Sequence, residues 1–201
     1  PNNFGVARAS GDYVCFLNQD DMFLPGHLEK MLSLMQDPSI DLVLARYAVI
    51  EPFDPGQNPL VYEVSNGGPA LDEVRYLPNR FHVASSWFMR RKVAKEYGEW
   101  RTEDRTSVPP SQDWLFRAWR RGCHVFCNDE VTLVALLSGS RNKSYAKTLA
   151  AEHRVIFPLL KDPRISQELM AKLTSHEKWR TATLRYRLVE FSYRLITPPM
   201  S

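Results

Sequence analysis

No stretch of this 201-residue chain holds the roughly 18 consecutive apolar residues that a membrane-spanning helix needs, so no transmembrane helix is expected. Cysteine is scarce. Cys15, Cys123 and Cys127 form no Cys-x-x-Cys pair, and such a set does not build a disulfide framework. Cys15 lies in an apolar run and reads as a small packed hydrophobe, so a reducing, cytoplasmic compartment is expected. A large charge of one sign is lacking too: the formal net charge is +3, which argues against nucleic acid as a partner. There is no glycine-rich phosphate loop, no internal repeat and no low-complexity tract. The opening residues, Pro1-Asn2-Asn3-Phe4-Gly5, carry neither an initiator Met nor a signal peptide and read as a cut through a longer chain.

What is present is ordinary globular chemistry, with 44% hydrophobic and 24% charged residues, enough for one domain with a real core plus an appendage. Residues 13–17 are a short aromatic and β-branched run, the pattern of a buried strand. The run ends in the polar turn Asn18-Gln19-Asp20-Asp21. Pro25 then opens a predicted helix with Leu28, Met31, Leu32 and Met35 at helical spacing, which Asp37-Pro38 stops. Residues 42–45 are a second buried strand, so strand, turn, helix and strand form a βαβ unit. Residues 51–80 are rich in Pro, Gly and Asn and form a long, functional-looking loop. A strand is expected over 85–89 and a helix over 92–97. Another helix follows over 112–121, with Ser111 as N-cap and Gly122 as its stop. Strands over 124–127 and 131–137 and helices over 146–160 and 165–195 complete the chain.

Two features carry chemistry. Adjacent carboxylates at the end of a buried strand are hard oxygen ligands suited to Mg²⁺ or Mn²⁺, in the place where ligands of open α/β sheets bind. Asp113, at the start of a helix, can project into a cleft and accept a proton. Each feature alone has a bland reading as a carboxylate that complements a helix N-terminus.

Context removes that ambiguity. The run Asn3-x-Gly5-x-x-Arg8-x-x-x-Gly11-x-Tyr13-Val14-x-Phe16-Leu17-Asn18-x-Asp20-Asp21-x-x-x-Pro25-x-x-Leu28 resembles the central block of the family 2 glycosyltransferases. Ser86-Trp87-Phe88-Met89-Arg90-Arg91-x-Val93, Gly98-x-Trp100, and Gln112-Asp113 with Arg117 and Gly122 resemble the family's acceptor-side block, in the same order. The resemblance implies a GT-A fold over 1–145, a mixed, mainly parallel sheet flanked by helices, with a C-terminal helical extension over 146–201. It also implies a first strand and base-clasping segments that would precede Asn3. The implied activity is inverting transfer of a sugar from a nucleotide-diphosphate sugar to a hydroxyl of a glycan or lipid-linked acceptor. By the same resemblance Asp20 and Asp21 hold the metal, Asn18 lies near the ribose, Asp113 is the base, and Arg8 lines the donor site by phosphate contact or by packing.

The sequence departs from the family pattern at Asn18 and Gln112, where acids are usual, and in lacking a late His between 136 and 145. Arg141 and Lys143 in that stretch either hold the diphosphate by charge or are solvated loop cations. These departures keep an alternative open, a non-catalytic relative that binds a glycan or a partner. The basic, aromatic stretch 179–195 either rests on an anionic membrane surface or packs its apolar side onto the domain.

Overall fold

The computed structural model describes residues 1–50, 64–66, 76, 81–136, 156–162, 164, 165 and 167–172, with backbone alone at 50, 64–66 and 136. The elements in chain order are helix α1 (Asn2–Arg8), strands β1 (Tyr13–Cys15) and β2 (Asp21–Phe23), helix α2 (His27–Leu34), and strands β3 (Leu42–Ile50), β4 (Val64–Asn66) and β5 (Trp87–Arg90). Helices α3 (Arg91–Glu96) and α4 (Pro110–Arg120) and strand β6 (Val125–Leu136) follow. Further helical turns lie at 156–159 and 167–172.

The six strands form one sheet in the order β1-β5-β3-β6-β2, with β4 added along β3. Why β5 sits inside follows from its sequence. Trp87, Phe88 and Met89 are all apolar with no polar alternation, and a strand buried on both faces needs neighbours and cover on every side. On one face Leu42, Leu44, Trp87 and Met89 pack with Val93, Trp114, Leu115 and Ala118 from α3 and α4. On the other, Val43, Ala45 and Phe88 pack with Met31 and Met35 of α2. Successive side chains of β3 thus enter different cores, as a period of two requires.

The sheet is mixed and helix-flanked, as the resemblance implied, but it is not mainly parallel. Among the described residues β3–β6 is the one parallel pairing, and β1–β5, β2–β6, β3–β4 and β3–β5 are antiparallel. The cause is the placement of β5. Strands β1 and β3 point the same way, yet the oppositely directed β5 separates them and makes both contacts antiparallel.

Local chemistry corrects four other expectations. Helix α2 starts at His27, after Gly26 in a left-handed conformation (φ 81°) that turns the chain beyond Pro25. Helix α4 starts at Pro110 rather than after Ser111, since a proline fits the first helical position, where no N–H is needed. The two strands expected over 124–137 are one, β6, with irregular pairing opposite Arg46. There the buried Arg46 donates from Nε to the Asp129 carbonyl at 2.9 Å. Cys15 is exposed rather than packed, while its strand neighbour Val14 is buried. Gly122 does stop α4, at φ 93°.

Within 156–172, Ile156, Leu160 and Leu169 pack against Met22, Leu24, Ala48, Val131 and Val134, so this part shares a core with the sheet. Arg141, Lys143, the stretch 179–195 and nearly all of the loop 51–80 lie outside the described residues.

Candidate functional site

The acidic turn leaves the carboxyl end of β1 and re-enters the sheet as β2, whose first residue is Asp21. Asp21 pairs with Ala135 of β6 and is buried. One carboxylate oxygen, Oδ2, accepts from the Asn18 side-chain amide at 2.9 Å and from the Ser85 hydroxyl at 2.5 Å. The Ser85 oxygen in turn accepts from the Asn18 backbone N–H at 2.8 Å. Asp20 stands between these held residues. It is half-buried, and its carboxylate makes no hydrogen bond or ion pair with the described residues. The turn therefore keeps one carboxylate internally satisfied and leaves the other available.

A metal cage made wholly of protein is absent from the described residues, which contain no group of three or more His, Cys, Asp or Glu side chains placed to hold an ion. Mg²⁺ or Mn²⁺ bound together with a diphosphate uses one or two protein carboxylates and completes its shell with phosphate and water. Asp20 provides a carboxylate. Asn18 donates from its amide nitrogen, which leaves the amide oxygen as a further hard ligand.

Asp113 lies in the first turn of α4 with a side chain 15% exposed. Its Oδ2 pairs with Arg117 Nε at 2.8 Å, one helical turn on, and its Oδ1 with Arg101 at 3.5 Å. Arg117 also donates to the carbonyls of Glu99 and Tyr97 at 2.9 and 3.4 Å, so the arginine is itself anchored. Gln112, where the family pattern has an acid, donates to the His82 carbonyl at 3.1 Å. Beneath this helix end lies an aromatic floor. Trp100 and Trp114 stack with centroids 4.4 Å apart at 4°, Trp87 lies 5.7 Å from Trp114, and the edge of Phe16 meets Trp100 at 5.5 Å. Asn3 clamps Trp100 with two hydrogen bonds to its backbone, at 2.8 and 3.0 Å, which gives that motif residue a packing role.

The two sites meet through the segment 81–86. Its His82 carbonyl receives Gln112, and its Ser85 holds Asn18 and Asp21. The sequence predicts a strand from Ser85, whereas Ser85 lies in a short helical turn and the strand starts at Trp87. The hydroxyl lies 64 and 67 positions from its partners, a separation that leaves no local signal. Arg8 stacks its guanidinium 3.7 Å above the Phe4 ring, a cation–π contact on the exposed side of α1. No described contact joins it to the acidic turn.

A cavity of about 480 Å³, lined by Asp12, Tyr13, Arg90, Arg91 and Lys92, opens at the other ends of β1 and β5. Its arginines act structurally. Arg90 donates to the carbonyls of Met35, Asp37 and Ile40 and closes the end of α2, and Arg91 reaches the Ala9 carbonyl.

Residues 2–98 match the family model described as Glycosyl transferase family 2. An uncharacterized glycosyltransferase of Nostoc sp. is 26% identical over 125 residues, which covers 62% of this chain and 36% of that protein. The chain therefore spans about a third of the length of that relative. Among solved structures, S. aureus TarS is similar at a TM-score of 0.49 and 14% identity over 68% of this chain and 24% of that one. A shorter TarS in complex with UDP-GlcNAc gives 0.48 and 12% over 86% and 50%. The sequence match spans the acidic turn and Ser85 and supports a family 2 glycosyltransferase domain over residues 2–98.

Proposed function

We propose that this chain forms part of an inverting, metal-dependent glycosyltransferase that moves a sugar from a nucleotide-diphosphate sugar to a hydroxyl of a glycan or lipid-linked acceptor. The observation that carries this reading is the strap 81–86, which ties an available carboxylate, Asp20, into the same frame as Asp113. In the reaction the acceptor oxygen attacks the anomeric carbon while its proton passes to a carboxylate oxygen of Asp113. The bond from that carbon to the diphosphate breaks on the opposite side, and the diphosphate leaves with the electron pair. A bound Mg²⁺ or Mn²⁺ would neutralise charge growing on the leaving diphosphate, held by Asp20 with the Asn18 amide oxygen beside it. Asp21, satisfied internally, shapes the turn. Arg117 and Arg101 orient Asp113, and a carboxylate with about four acceptor positions keeps room for a substrate hydroxyl.

The test is to screen the full-length gene product with nucleotide sugars, beginning with UDP-GlcNAc, with and without Mn²⁺. Metal-dependent release of the nucleoside diphosphate, lost in Asp20→Ala, is expected. Turnover that ignores metal would remove the role given to Asp20. A second reading, a non-catalytic glycan- or partner-binding relative, is favoured by the pairing of both Asp113 oxygens with arginine. Binding of a nucleotide sugar without turnover under any condition would establish it instead.

A further inference from the structure

The segment 81–86 is fastened along its length. The Tyr47 hydroxyl donates to the Phe81 carbonyl at 3.2 Å and accepts from the Val83 N–H at 3.3 Å. Burial pushes the Tyr47 phenol well above its ordinary value, so it remains a neutral donor throughout the working pH range. Gln112 holds the His82 carbonyl, and the Ser86 hydroxyl closes the short helical turn onto the Val83 carbonyl at 2.8 Å. Ser85, wholly buried, is the member of this segment that faces the acidic turn.

Its hydroxyl proton has one direction available. The Asn18 backbone N–H can only donate and an ionised Asp21 can only accept, so Ser85 receives the first bond and gives the second. Asn18 and Asp21 are thereby fixed at the two ends of the turn by one hydroxyl, and the Asn18 side chain closes the ring onto the same Asp21 oxygen. The residue left projecting between them is Asp20.

Building on the glycosyltransferase reading, we propose that Ser85 is a positioning residue for metal–nucleotide binding: its hydroxyl sets the direction of Asp20 by bracing Asn18 and Asp21 from the strap to which Gln112 of α4 is also bonded. Ser85 touches neither metal nor donor and acts through the turn. Without the hydroxyl, the Asn18 N–H loses its acceptor and Asp21 loses a donor, so the turn relaxes and Asp20 is no longer held ready.

The neighbouring Ser86 supplies a matched control. It is equally buried and makes one hydrogen bond, but that bond stays inside the strap. Mn²⁺ uptake by the full-length protein is measured by electron paramagnetic resonance in the presence of UDP, GDP or dTDP, alongside thermal melting. The expected result is an affinity for Mn²⁺ with nucleotide weakened about tenfold in Ser85→Ala, the scale set by losing a hydrogen bond to a charged group. Ser86→Ala should stay within about twofold in Mn²⁺ affinity while its melting midpoint falls, since it too loses a buried hydrogen bond, here to a neutral carbonyl. If Ser85→Ala does not fold, Ser85→Cys keeps the volume while offering only a weak donor and acceptor, and should lose affinity in the same direction. Wild-type affinity in a folded Ser85 variant, or an equal loss in Ser86→Ala, overturns the positioning role and leaves the enzyme reading standing. Failure of the unsubstituted protein to take up Mn²⁺ with any of the three nucleotides overturns the enzyme reading, and this proposal with it.

Discussion

The acidic turn at 18–21 and the helix end at 112–113 hold their carboxylates by opposite means. Asp21 is held by neutral donors, the Ser85 hydroxyl and the Asn18 amide, brought together by the fold. Asp113 is held by cations, Arg117 on its own helix and Arg101 on the loop before it. A neutral donor fixes a carboxylate without bringing a countercharge of its own. Arg117 and Arg101 orient Asp113 by direct ion pairs. The lesson is that one carboxylate takes its orientation from a distant strap and the other mainly from its own helix.

The largest expected effect breaks the helix-end half of the comparison. Asp113→Asn keeps the shape but removes the proton acceptor, and kcat for sugar transfer should fall roughly 10²- to 10⁴-fold. The melting midpoint should barely move, because a pair of this i,i+4 type contributes only about 0.3–0.5 kcal/mol. Activity within about tenfold of wild type would remove Asp113 from the chemistry.

Next comes the floor beneath that helix end. Trp114 is fully buried, stacks on Trp100 and donates to the Gly98 carbonyl at 2.7 Å. Trp114→Ala should cost about 3–5 kcal/mol in denaturant unfolding. A loss below about 1 kcal/mol would show that the aromatic stack does not support the site.

Acid should separate the two regions on the side of the turn. His27 begins α2, stacks on Phe23 of β2 at 4.0 Å, and places Nδ1 3.0 Å from the Thr132 hydroxyl. Burial lowers its pKa from 6.5 to about 4, against a smaller opposing contribution from the contact with Thr132. The folded state therefore keeps His27 neutral while the unfolded chain protonates it. Stability is complete above pH 6.5 and falls as pH drops toward about 4, where the folded form protonates too. The loss amounts to about 3 kcal/mol over that window. Melting curves between these limits should show it, and His27→Gln should flatten the slope. An unchanged slope would assign the acid sensitivity elsewhere.

The smallest effect sharpens the comparison. Arg101 is 52% exposed and 3.5 Å from Asp113, so Arg101→Ala should alter stability by less than about 0.5 kcal/mol. Arg117→Ala, which also releases the Glu99 and Tyr97 carbonyls, should lower kcat more than Arg101→Ala does. Equal effects would mean that the two arginines orient Asp113 alike.

Much of this architecture is legible in the residues. The apolar run at 13–17 holds a strand over its first three residues, the run at 42–45 lies within another, Gly122 ends its helix, and the acidic turn follows a strand's carboxyl end. These are short-range facts, set by side-chain period and by backbone conformations that particular residues favour. Helix α4 starts at Pro110 rather than after Ser111 because Pro109-Pro110 competes for the same boundary and proline fits the first turn.

What the sequence alone determined is therefore most of the elements, the family resemblance and the acidic and basic residues that could do chemistry. What only the tertiary structure decided is which partners those residues have. Strand β5 enters between β1 and β3, and Ser85 is thereby brought to Asn18 and Asp21. The reason is physical: a hydrogen bond across 64 residues depends on strand order and direction, and neither is encoded in any local period of the chain.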